Sequence, residues 1–116
     1  VSTHDELGPP DARRAEFSRA VHLQADRVRG LPLARLDRPA AGESTSPADA
    51  VRAAAQELAD LAADAEGRDR RPLPRLATHG LGDQLAVVGA DVVRSGTATT
   101  LAAAHDVLAR VRRALP

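Results

Sequence analysis

His79 and Asp83 stand four residues apart, and His105 is followed directly by Asp106. On a helix, a histidine and a carboxylate at that spacing share one face, the arrangement of a metal-ligand pair or of an acid–base pair that titrates near neutrality. They are the best candidates for chemistry in this chain, and helical geometry counts against their acting together. If the helices that carry them run antiparallel about Ser95-Gly96, counting outward pairs Val87 with His105, Gln84 with Leu108, Asp83 with Ala109 and His79 with Arg113. His79 and His105 then differ by about eight residues in level, roughly 12 Å along the axis, too far to share one ion. Gly80 and Gly82 also loosen the helical spacing at His79. His79 with Asp83 therefore reads as a polar pair in a first helical turn. His105, beside Leu101 and Leu108, reads as a residue at the edge of the core, and His4 and His22 have no partner in the sequence.

Other chemistries find less. The chain has no cysteine, which removes disulfides, thiolate nucleophiles and cysteine-based zinc sites. Ser95, Thr97, Thr99 and Thr100 lack a histidine at a recognisable spacing, and no G-x-S-x-G elbow occurs; helix capping accounts for them. Gly80-Leu81-Gly82 ahead of a helix lacks the rest of a phosphate-loop or dinucleotide fingerprint. No catalytic, cofactor-binding or metal-ligating residue is assigned, and the chain is read as a non-enzyme.

Composition sets the wider bounds. With 116 residues there is room for one domain. Alanine (25), arginine (16), glycine (8) and proline (8) fill about half of it, Phe17 is the one aromatic residue, and isoleucine, asparagine and lysine are absent. This pattern points to a GC-rich bacterial genome and requires every alanine-rich or arginine-rich motif to be discounted. The large apolar residues are 14 leucines, 10 valines and Phe17, so the core must be thin and built from leucine, valine and alanine. Net charge is zero, which disfavours nucleic acid and anionic membranes as partners. The longest wholly apolar stretch, Leu85 to Ala90, is far too short for a membrane span, and the first residues carry no leader pattern; the expected location is cytoplasmic.

The elements that would position these residues are helical. Residues 1–10 read as a flexible tail ending at Pro9-Pro10, and 11–116 as a single helical domain with helices over about 11–29, 47–66, 76–94 and 98–115. The first carries Phe17, Val21, Gln24, Val28 and Leu31 on one stripe, and 32–46 has the composition of a surface loop. Ser46-Pro47 with Asp49 opens the second, whose seam is Val51, Ala54, Leu58, Leu61 and Ala65. The third has a bulky stripe of Leu81, Leu85, Val88 and Val92 beside a small one of Gly82, Ala86, Gly89 and Val93. Two such stripes suit a helix touching two neighbours at different distances, with Gly82, Ala86 and Gly89 as packing positions. The fourth carries Leu101, Ala104, Leu108, Val111 and Leu115. Pro32-Leu33-Ala34-Arg35-Leu36 and Pro72-Leu73-Pro74-Arg75-Leu76 echo each other as P-L-x-R-L, which shared loop chemistry explains better than duplication.

The expected fold is a small all-α four-helix bundle whose last two helices form an antiparallel hairpin against which the first two pack. The expected function is that of a non-catalytic interaction or accessory module, acting through a protein partner or as a homo-oligomer. Val87 falls on the polar side of the third helix, so Val87, Asp91 and Arg94 are the candidate partner contact. The alternative is a DNA-binding regulator: Ala90 to Leu101 resembles a helix-turn-helix, and Arg13-Arg14, Arg68 to Arg71 and Arg112-Arg113 could meet phosphates. Against it, the second helix offers Ala102, Ala103 and Ala104 where base-reading side chains are needed.

Overall fold

A computed structural model describes residues 10–116, and every regular element among them is helical. In chain order these are α1 (Pro10–Gly30), a short α2 (Leu33–Asp37), α3 (Pro47–Ala65), a 3-10 turn (Thr78–Gly80), α4 (Leu81–Ser95) and α5 (Ala98–Ala114). The tail expected over 1–10 lies outside the described residues except for Pro10.

Local chemistry explains most of the ends. The Ser46 hydroxyl accepts from the Asp49 N–H at 3.1 Å and Pro47 fills the first turn of α3. At its other end Gly67 adopts a left-handed φ of 67°, so that Arg68 N–H reaches Ala63 O at 2.8 Å and Gly67 N–H reaches Asp64 O at 3.2 Å. That is a Schellman stop, which a β-carbon would strain. Thr97 caps α5 by accepting from Thr100 N–H at 3.3 Å. Two expectations are corrected here. The third long helix begins at Leu81 instead of about residue 76, because Pro74, Gly80 and Gly82 leave the preceding residues extended and then in a 3-10 turn. The span 32–46, read as loop, contains α2, which exists because Leu36 (1 % exposed) is drawn into the core.

The four long helices pack around one core. α1 runs antiparallel to α4, since Arg14 sits at Val93 and Gly96 while Ala25 and Arg29 sit at Gly82, and parallel to α5, since Phe17 meets His105 and Arg27 meets Pro116. α3 runs parallel to α4 and antiparallel to α5, where Arg110 meets Glu57. α4 and α5 leave their two-residue connection in opposite directions but make little contact with each other; each lies instead along both α1 and α3. The residue pairing expected between them is therefore corrected. A short connection fixes the direction of two helices and the distance between their adjoining ends, and leaves the lateral neighbour to packing. The core joins Phe17, Leu36, Leu58, Leu81, Leu85 and Leu101 to valines and alanines. The expected stripes on α1, α4 and α5 face inward, whereas on α3 the buried face passes through Ala55, Ala62 and Ala63 and leaves Ala65 exposed.

Candidate interaction surfaces

α4 is organised by its small residues. A β-carbon at Gly89 would lie 2.6 and 2.8 Å from the Val21 methyls, and one at Gly82 would lie 2.7 Å from Arg29 Cγ and 3.0 Å from Ala25 O. α1 therefore lies directly on the small stripe, with Ala86 half-buried beside it. Asp83 is held by α1 as well: its Oδ1 accepts from Arg29 Nη2 at 2.8 Å and Nε at 3.0 Å, while Asp26 takes Arg29 Nη1 at 2.8 Å. The Asp83 hydrogen bond, with Asp26 adding to it, holds the Arg29 guanidinium more firmly protonated than usual. On the opposite face Val87 is 62 % exposed, and Asp91 forms an ion pair with Arg94 one turn on. Val87 thus points to solvent, with Asp91 and Arg94 on the same side of the helix.

The histidine–carboxylate constellation is dispersed. Asp83 is committed to Arg29, His79 sits exposed on the 3-10 turn, and His105 packs edge-on against the Phe17 ring with centroids 5.3 Å apart and planes at 82°. His22 Nδ1 lies 2.8 Å from the Ser18 carbonyl oxygen on its own helix. Among the described residues no three histidine, aspartate or glutamate side chains converge in a way that could hold a metal ion. Two of the three arginine groups have members engaged locally. Arg14 donates to Val93 O and Gly96 O, Arg68 pairs with Glu66 and Arg70 with Asp64. Those pairs lower the carboxyl pKa of Asp64 and Glu66 and raise that of each arginine, chiefly through the hydrogen bonds themselves. The outward row at the start of α5 is Thr99, Ala102 and Asp106.

A surface that the sequence did not single out joins α2 to the segment before α4. Leu33 (51 % exposed) and Leu76 (36 % exposed) open onto one groove of about 480 Å³, with Arg52, Arg75, Asp37 and His79 around them. Thr78 Oγ1 donates to Asp37 Oδ1 at 2.6 Å and Arg52 Nη2 donates to Leu76 O at 3.0 Å, so the two walls are fixed to each other and to α3. Two exposed leucines therefore share one hollow with a polar, arginine-bearing rim. The signal that could have found it is the P-L-x-R-L echo, for Leu33 belongs to one copy and Arg75-Leu76 to the other.

Among the described residues no helix is long and apolar enough to cross a membrane. Comparisons with protein-family models, with curated proteins and with solved structures find no match to this chain.

Proposed function

We propose that this chain is a non-catalytic helical interaction module that works by docking a protein, either a different partner or a second copy of itself. The observation that carries the reading is the groove where Leu33 and Leu76 are exposed side by side between elements that hydrogen bonds hold in place. Large apolar side chains scattered singly on a surface are ordinary; these two are distinguished by sharing one shallow, rimmed hollow. Val87 on α4, with Asp91 and Arg94 beside it, adds a smaller second contact. The electrostatics support a binding role. Hydrogen bonds in the Asp64–Arg70 and Glu66–Arg68 pairs lower the carboxyl pKa and raise that of the arginine, and Arg29 is raised likewise, all away from neutrality and opposite to what an acid–base catalyst needs.

The test is a paired measurement on wild type and a Leu33→Ser/Leu76→Ser variant, whose half-exposed positions should cost about 1 kcal/mol per site, so a melting curve accompanies it. Light scattering after size exclusion at micromolar concentration reads self-association, and retention from a lysate of the encoding organism on the immobilised chain reads a partner. Self-association or a retained protein that the double variant loses supports the reading. A well-folded monomer that retains nothing above the blank overturns it, and Val87→Asp separates the α4 face from the groove.

A further inference from the structure

At the other end of α3 from the Glu66 stop, Arg35, Arg38 and Arg113 line an open cleft of about 440 Å³ floored by Pro39, Pro47 and Leu115. No aspartate or glutamate side chain lines it; Pro116 lines it too, with a backbone oxygen 3.5 Å from Arg27. Among the described residues none of the three arginines has an ion-pair partner, whereas Arg14, Arg29, Arg52, Arg68, Arg70, Arg75, Arg94 and Arg110 all do. In a chain of zero net charge, three like charges left together are an unbalanced local field. Arg113, Pro47 and Ala40 also line an adjoining cleft of about 350 Å³, where Glu43 and Arg110 stand as well, so the excess of cations lies in the first cleft.

We propose that this groove binds an extended acidic peptide segment of a protein partner, its carboxylates against Arg35, Arg38 and Arg113 and its small apolar side chains on Pro39 and Pro47. The proposal rests on reading the chain as an interaction module. Three features choose a peptide over a small anion. The groove is open, whereas small-ligand sites enclose most of the ligand. Ala34, Pro39, Ala40 and Pro47 line it beside the cations, a contact for a peptide's apolar side chains that a small anion would not use. Arginine is suited to the task because its planar fork meets a carboxylate through two hydrogen bonds.

The probe is a fluorescein-labelled ten-residue peptide of glutamate, leucine and proline, titrated with the full chain at low salt and read by fluorescence anisotropy. Saturable binding is expected, at least about tenfold weaker when every glutamate is replaced by glutamine, and weakened likewise as salt rises. Arg35→Glu/Arg38→Glu lowers affinity by about tenfold or more with an unchanged melting curve, while Arg112→Glu, which lines a different hollow beside Gln24 and His105, leaves it within about threefold. No saturation up to about 1 mM overturns the proposal, as does equal binding of the glutamine peptide or of the double variant. Displacement by inorganic phosphate at the peptide's own concentration assigns a general anion site instead, and tighter binding of a mixed DNA duplex assigns a nucleic-acid site; either result overturns it. If the peptide fails while Leu33→Ser/Leu76→Ser still abolishes association, only this groove is misassigned and the module reading stands.

Discussion

Gly89→Ala should destabilise the protein although alanine is the better helix former. The β-carbon it adds lies 2.6 Å from Val21 Cγ1, 2.8 Å from Cγ2 and 3.2 Å from Cβ, where carbon atoms normally settle at about 3.5–4.0 Å. Val21 is 2 % exposed, and a β-branched side chain in a helix has essentially one rotamer, so relief requires α1 to move by about 1 Å. Overpacking of this kind costs about 1–3 kcal/mol, and two obstructing methyls on a stiff side chain place it near the upper end. Helix propensity returns about 1 kcal/mol. The net loss is about 1–2 kcal/mol, or a fall in Tm of about 4–8 °C for a domain of this size. Thermal unfolding followed by circular dichroism measures it. Val21→Ala removes both methyls and costs stability alone, but in that background Gly89→Ala should turn neutral or favourable, giving a coupling of about 2–3 kcal/mol. Gly30→Ala is the control: nothing lies within 4 Å of its β-carbon, and a neutral result or a gain of up to about 1 kcal/mol is expected. A higher Tm for Gly89→Ala with Val21 intact would refute the claim that this glycine sets the α1–α4 distance.

Phe17→Ala removes a fully buried ring that anchors α1 and faces His105, and should cost about 3–5 kcal/mol; chemical denaturation that shows less than about 1 kcal/mol would mean that the ring is not a core anchor. The pH dependence follows from Asp64 and Glu66, whose pKa values are lowered in the fold first by the hydrogen bonds from Arg70 and Arg68. A carboxyl with a depressed folded pKa contributes stability above its unfolded pKa and loses it as pH falls through the folded one. Tm should therefore fall on acidification from about pH 5 to about pH 3 more in wild type than in an Asp64→Asn/Glu66→Gln variant, with 0.5 M salt narrowing the difference.

The four long helices were legible because their signals are local. Ser46-Pro47, Thr97 and the Leu/Val spacing of α4 and α5 each act within a few residues, and hydrogen bonds and burial realise them directly. What was not legible depended on distant partners. α2 is a single turn among Pro32, Pro39 and Gly42, and only the burial of Leu36 against the rest of the fold distinguishes it from loop. Counting from Gly96 sets His105 opposite Val87, yet it faces Phe17, far away in sequence, because lateral packing overrides connection length. On α3, Ala55 and Ala62 replaced Leu61 and Ala65 on the fully buried face: in a helix this rich in alanine, hydrophobicity alone does not say which side is inside. The Arg35, Arg38 and Arg113 cleft draws on elements at opposite ends of the chain, and no window along the sequence holds both.

The P-L-x-R-L echo shows how one short pattern can serve opposite geometries. In the first copy the later leucine, Leu36, is buried and the earlier one, Leu33, is exposed; in the second the earlier one, Leu73, packs against the core and the later one, Leu76, is exposed. A duplicated helix-plus-clamp unit would bury the same position twice, so the inversion counts against an internal repeat and for two loops that reached the same composition separately. Each segment is short and bounded by proline; in α2 Leu33 and Leu36 lie only about 60° apart, so Leu33 at the first turn falls at the edge of the buried face, whereas the extended second copy sends Leu73 and Leu76 to opposite sides. Each therefore contributes one leucine inward and one outward, and Leu33 and Leu76 meet at one groove because Thr78 bonds Asp37 across the gap. Thr78→Val, which deletes that bond but keeps the shape, should loosen the groove while leaving the bundle intact: partner retention or self-association should weaken with little change in Tm. If association were unchanged in Thr78→Val but lost in Leu33→Ser/Leu76→Ser, the leucines alone would define the surface and the hydrogen-bonded frame would have no part in it.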